Sequence, residues 1–255
     1  MRIVYFTNPK LLDIIMQPMG KVGGSYYAID VLYDPLDGTS GAQACSVHAV
    51  AKRNSLGAPH LVANEFICGR LAMLMGLPVP PGAMAKLDDG GLAYVSLRFG
   101  PRGERPPPVA PAELVADHPE LALRIVAFDC WVANTDRHEG NLIYLKAPGS
   151  RPMIFDHDKA LMAGLGKERL ERVRDEAILD GCLVEHLRAS KGGRAKAAEH
   201  CRWIADNLLE GVCDEAFGAG AVSEDDRDAV VDFLRVRATS LLTMLNQLPG
   251  QLELG

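Results

Sequence analysis

The spacing of apolar and polar positions changes character near residue 100. Before that point the chain reads as strands with one helix. Leu12 to Pro18 is an apolar run, and Gly20-Lys21-Val22-Gly23-Gly24-Ser25 turns it into Tyr26 to Tyr33, whose aromatic and branched residues predict a strand. Asp34 to Gln43 is rich in Asp, Gly, Pro and Ser and predicts a loop. Ser46 to Arg53 alternates as a second strand does. Leu61 to Met75 has apolar residues at helical spacing, and Gly76 stands where a helix stop belongs. Val79 to Leu87 and Leu92 to Phe99 flank Asp88-Asp89-Gly90-Gly91, a hairpin signature.

Gly100 to Pro111 is proline-rich with interspersed charges and reads as a connector. Beyond it, Pro119 to Ala133 predicts a helix, and Leu142 to Leu145 and Met153 to Phe155 predict short strands joined by Ala147-Pro148-Gly149-Ser150. From Glu168 onward the pattern is helical. The last helix opens with the capping signal Ser223-Glu224-Asp225-Asp226, and its apolar positions continue to Leu248. Two lobes account for this order: a strand-rich N-lobe over 1–100, a hinge over 101–111 and a helical C-lobe over 112–255.

Composition narrows the class. The 255 residues suffice for one large domain or two small lobes, and 48% hydrophobic with 24% charged residues is ordinary for a globular protein. A net charge of −6 predicts no nucleic-acid partner, and no apolar run is long enough to span a membrane. Met1-Arg2-Ile3-Val4-Tyr5 lacks the apolar core of a signal peptide, so a cytoplasmic protein is expected. The six cysteines form no Cys-x-x-Cys pair and read as reduced, mostly buried thiols; Cys182, His186, His200 and Cys201 match no structural zinc spacing.

The chemistry concentrates in Asn134-Thr135-Asp136-Arg137-His138-Glu139-Gly140-Asn141 and in Met153-Ile154-Phe155-Asp156. Phosphoryl transfer on a metal-bound nucleotide needs a carboxylate to take the proton of the attacking hydroxyl, and an amide and a second carboxylate to hold Mg²⁺. Asp136 is the candidate base, Asn141 and Asp156 are candidate metal ligands, and Asp158 is a second carboxylate for the metal. Asn141 has no evident structural role, and Asp156 would be a costly unpaired charge at a buried strand end unless a metal or base holds it. His138 is placed to orient Asp136 or the loop backbone, with a satisfied structural histidine the equal alternative, and Arg137 reads as solvated.

Upstream, Lys52 closes the alternating strand and shares a face with Val50, so it is placed to reach phosphates while Val50 lines a base pocket. Glu65, thirteen residues on, is placed to pair with Lys52. Gly23, Gly24 and Ser25 lie in a glycine-rich turn that reads equally as a phosphate cover and as a plain hairpin turn; it is no Walker loop.

These motifs resemble the HipA-like kinases, atypical bacterial kinases related to the HipA toxin. The likeness rests on Asn64-Glu65 through Leu77-Pro78-Val79-Pro80, on Trp131 through Asn141 and on Phe155-Asp156-His157-Asp158-Lys159-Ala160-Leu161. It implies an α+β, bilobal protein-kinase-like fold, ATP and Mg²⁺ as cofactors, Asp136 as the base, and Asn141 and Asp156 at the metal. It also likens Gly23, Gly24 and Ser25 to that family's phosphate-side loop. The chain leaves no room for the toxin's additional N-terminal domain, so no antitoxin partner is implied, and no Ala-Pro-Glu activation segment follows Asp156.

Three functions follow as expectations. The first is phosphorylation of serine or threonine hydroxyls of a protein. The second is a small-molecule kinase resembling aminoglycoside phosphotransferases, although their His-Gly-Asp opening is missing. The third is a nucleotide-binding pseudokinase serving as an interaction module, against which Lys52, Asp136, Asn141 and Asp156 all stand.

Overall fold

A five-stranded antiparallel sheet organises the first part of the chain. In the computed structural model, residues 17–18, 25–33, 45–87, 90–97, 109–144 and 152–250 are described, with side chains from residue 49 onward. The strands are β1 (Gln17–Pro18), β2 (Ser25–Tyr33) and β3 (Cys45–Arg53), followed after helix α1 (Leu61–Leu74) by β4 (Gly82–Lys86) and β5 (Leu92–Leu97). Their order, β1-β2-β3-β5-β4, places β3 in the middle, and Lys52 sits between Tyr26 of β2 and Tyr94 of β5. Alternation divides the faces: Ala49, Ala51 and Ala93 form a small apolar cluster on one side, and Lys52 and Tyr94 share the other. The Tyr94 hydroxyl lies where a Cβ would stand on Gly82 or on Gly69 of α1, so glycine at both positions admits the ring.

Three expected boundaries move for local reasons. The fourth strand starts at Gly82, not Val79, because Pro80 and Pro81 carry no N–H for a ladder. Helix α1 ends at Leu74, and Gly76 follows in the left-handed conformation, φ 67°. A helix α2 (Pro111–Asp117) opens where only a connector was expected, with Pro111 in its first turn.

Helix α3 (Pro119–Trp131) runs into a single 3₁₀ turn, Glu139–Asn141, and then the two-stranded ribbon β6 (Leu142–Ile143) and β7 (Met153–Ile154). Four helices complete the body: α4 (Lys167–Val173), α5 (Lys191–Asn207), α6 (Leu209–Gly218) and α7 (Glu224–Leu245). Ser190 and Ser223 cap α5 and α7, their Oγ atoms accepting from the N–H groups of Gly193 (3.0 Å) and Asp226 (3.1 Å). Residues 174–190 are turns and irregular chain, not helix, and lie against the Asp136 loop: the Cys182 N–H donates to the Arg137 carbonyl at 2.8 Å. One large core joins α1 to α3, α5, α6 and α7.

At the far end of that core Arg237 of α7 is fully buried. It donates to the carbonyls of Cys130 and Trp131 at the end of α3, and to those of Val173, Arg174 and Glu176 at and beyond the end of α4. Both helix ends carry unsatisfied carbonyls and partial negative charge, so one guanidinium serves two C-termini. Burial lowers its pKa, and Cys130, Asp175 and Glu176 oppose that effect.

Candidate active site

Strand β3, helix α1 and the segment after β7 converge on one ion-pair cluster. Lys52 Nζ donates to Glu65 Oε1 in a short contact and to Asp156 Oδ1 at 2.8 Å. Lys52 and Glu65 are 6% and 2% exposed, so this is a buried pair. Burial pushes the Glu65 carboxyl up, but Lys52 and then His157 overcome it and hold the group well below the usual carboxylate range. Glu65 Oε1 also accepts the His157 N–H at 3.1 Å. Next to it, Asn64 donates to the Asp158 carbonyl at 3.3 Å and accepts from the Met162 N–H at 3.4 Å. Helix α1 thus grips the whole 157–162 stretch.

Asp156 is not the unpaired buried carboxylate expected from its strand-end position. Its side chain is partly open to solvent and held by Lys52, and its backbone is left-handed at φ 64°, a conformation aspartate tolerates better than most residues. The turn lifts the carboxylate off the ribbon toward β3. Asp158 is buried, and its carboxyl is raised by that burial and by Asp156, with Lys159 at 3.2 Å opposing the shift.

The Asp136 loop is built from the inside. Asp129, on an otherwise apolar stretch of α3, accepts from Arg137 Nε and Nη2, each at 2.9 Å, and from Asn134 Nδ2 at 2.9 Å. Asn134 Oδ1 in turn accepts the Asp136 N–H at 3.2 Å. Arg137 is therefore not solvated; it is 3% exposed, and its Nη1 reaches the carbonyls of Asn141 (3.1 Å) and Phe155 (2.7 Å). Burial alone would lower its pKa, but Asp129 raises it overall. Asn141 also has a structural bond, its Nδ2 donating to the Asp136 carbonyl at 2.8 Å, which leaves its Oδ1 as the donor atom for a cation.

The ribbon brings the two arms together. Leu142 pairs with Ile154, and the Phe155 N–H donates to the Asn141 carbonyl at 3.3 Å, so Asn141 and Asp156 stand at the same end of it. His138 Nδ1 accepts the Gly140 N–H at 2.9 Å, which assigns the neutral ring's proton to Nε2, 3.9 Å from Asp136 Oδ2. Asp136 and His138 are both open to solvent. Among the described residues no three His, Cys, Asp or Glu side chains gather into a metal cage. Asn141 and Asp156 offer hard oxygens that suit Mg²⁺ shared with nucleotide phosphates.

Val50 is half-buried on the Lys52 face of β3. Gly23 and Gly24 lie outside the described residues, as does the side chain of Ser25; the backbone of Ser25 pairs with Arg53, one step from Lys52. Of the cysteines with described side chains, Cys68, Cys130, Cys201 and Cys213 are buried and Cys182 half-buried, all as free thiols. Cys201 Sγ faces Met75 Sδ at 3.6 Å.

The model of the HipA-like kinase family matches residues 46–173, half of the chain, and spans Lys52, Glu65, Asp136, Asn141 and Asp156. The chain belongs to the HipA-like kinase family. No curated protein sequence matches it. Among solved structures, the Helicobacter pylori proinflammatory kinase CtkA superposes with a TM-score of 0.57 at 11% identity, over 92% of this chain and 96% of that one. HipA of Shewanella oneidensis MR-1, solved with HipB and operator DNA, gives 0.46 at 15% identity, over 94% and 67%. The first likeness shows a kinase-like fold for this HipA-like kinase, with the α+β arrangement expected from its sequence. No helix among the described residues is long and apolar enough to cross a membrane.

Proposed function

We propose that this HipA-like kinase is an ATP- and Mg²⁺-dependent phosphotransferase that phosphorylates serine or threonine hydroxyls of a protein. The supporting observation is the meeting of Lys52, Glu65 and Asp156 in one cluster, beside a ribbon whose same end carries Asn141. Lys52 holds the nucleotide phosphates, Glu65 fixes Lys52, and Val50 lines the base pocket. Asp136 takes the proton of the acceptor hydroxyl as its oxygen bonds to the γ-phosphorus and the bond to the β–γ bridging oxygen breaks, releasing ADP. His138 restrains the loop through Gly140. Asn141 Oδ1 and Asp156, with Asp158 behind, would hold Mg²⁺, whose charge offsets that of the phosphates. The exposure of Asp136 at an open face favours a bulky acceptor such as a protein segment.

The test is transfer of label from γ-labelled ATP into a cell lysate with Mg²⁺. Phosphoprotein that is stable to acid, released by alkali and missing with Asp136→Asn is expected. Label confined to small molecules would favour the antibiotic-kinase-like reading, and nucleotide binding without transfer the pseudokinase reading. Mg²⁺ with a non-hydrolysable ATP analogue should also raise the melting temperature more than either alone.

A further inference from the structure

Arg169 of α4 is 5% exposed and forms no ion pair among the described residues. Burial, then the nearby Arg172 and Arg237, disfavour its charge. Its guanidinium instead donates to three backbone carbonyls: Ala133 at 2.7 Å, Lys159 at 3.0 Å, and Leu161 in a shorter contact. Two of these three acceptors, Ala133 (φ 53°) and Leu161 (φ 45°), are non-glycine residues in the left-handed region. With a Cβ present that conformation is disfavoured and persists only where the surroundings hold it.

The two held residues belong to different arms of the site. Ala133 turns the chain out of α3 into Asn134, whose side chain fixes the Asp136 amide. Leu161 closes the stretch that begins at Asp156, and its N–H donates to the Val132 carbonyl at 2.9 Å. A guanidinium on regular secondary structure would be ordinary packing. Here it binds the carbonyls of residues that would relax if released, and in relaxing would shift Asp136 relative to Asp156 and Asp158.

We infer that Arg169 is a positioning residue that sets the general-base arm against the metal arm by holding Ala133 and Leu161 in left-handed conformations. Its effect on turnover rests on the phosphotransferase reading; its effect on the backbone does not. Arg169→Lys keeps the charge and loses the planar fork. It should lower kcat by roughly 30- to 100-fold, as misplacement of catalytic groups does, while metal-free affinity for a non-hydrolysable ATP analogue stays within about threefold. Amide exchange over residues 132–141 and 157–163 should quicken at least about tenfold, with the middle of α7 unchanged. Ala133→Gly in the same background should return about fivefold or more of the lost kcat and slow the exchange again, because glycine takes positive φ without steric penalty.

Equal losses of kcat and nucleotide affinity, or no recovery by Ala133→Gly, overturn the inference. If Arg169→Lys fails to fold, a folded double variant supports it and an equally unfolded one overturns it. If the native protein transfers no phosphate, the phosphotransferase reading fails and exchange alone decides. Acceleration reversed by glycine then upholds the hold of Arg169 on the two arms, and unaltered exchange removes it.

Discussion

Lys52 on one side of the site and Arg169 and Arg237 on the other are all buried cations, but they are satisfied differently. Lys52 meets carboxylates, Glu65 on α1 and Asp156 after β7. The two arginines meet main-chain carbonyls. A carboxylate can rotate, take a proton or exchange its partner for a metal or a phosphate. A carbonyl can do none of these without unwinding the chain that carries it. The Lys52 side is therefore able to change partners, and the side behind the Asp136 loop is not. Arg137 belongs to both, with Asp129 on one edge and the carbonyls of Asn141 and Phe155 on the other.

The largest test of this contrast is Arg137→Ala. It leaves the Asp129 charge in the core with Asn134 but without its cation and frees the Phe155 carbonyl, so unfolding in urea should show a loss of about 3–5 kcal/mol. A loss below about 1 kcal/mol, typical of an exposed pair, would erase the distinction between the halves. Asp136→Asn should instead leave stability alone and cut turnover by about 10²-fold or more, with nucleotide binding by calorimetry retained. Equal loss of binding and turnover would make Asp136 structural. Lys52→Met should weaken ATP binding about tenfold, the worth of one charge-assisted contact, and Glu65→Ala should weaken it less.

Two smaller effects come from pH. The Glu65 carboxyl titrates below its ordinary value of 4.5 in the folded protein. Its contribution is therefore full above about pH 4.5 and is lost as pH falls toward its folded value. In urea titrations the stability gap between native protein and Glu65→Gln should narrow below pH 4.5, and a gap independent of pH would contradict the pairing. Asp158 has the opposite sign: its pKa is raised above 3.8, so its ionised form disfavours the fold. Asp158→Asn should raise the ligand-free melting temperature at pH 7 and lose that gain near pH 3.8. A fall at pH 7 would place Asp158 among the residues that stabilise the empty site.

Much of the sheet was legible because alternation and turn chemistry are local. β3 begins one residue before the expected Ser46, β4 and β5 pair as the expected hairpin although β4 starts later, and Ser223 caps α7. Helix α2 was hidden because Pro111 reads equally as the end of a connector and as the first turn of a helix. In the site, the Lys52 to Glu65 spacing pointed to a pair the structure contains, while Arg137 was misread because charged loop residues are usually solvated. Its signal was Asp129, a lone acid between Phe128 and Cys130 in a buried helix, which requires a returning cation. Arg237 gave a similar sign, standing on the apolar stripe of Val230, Leu234 and Leu241. What it binds was not legible, because main-chain carbonyls carry no residue identity.

Arg237 also sets an order of events during synthesis. The helix ends it caps, near Trp131 and Val173, leave the ribosome long before Arg237 itself does. Until α7 has emerged, the end of α3 lacks the cation that closes it. A nascent chain carrying the whole motif from Asn134 to Asp156 therefore still lacks the buried cation behind it. Completion of α7 is the step that closes the two helix ends together.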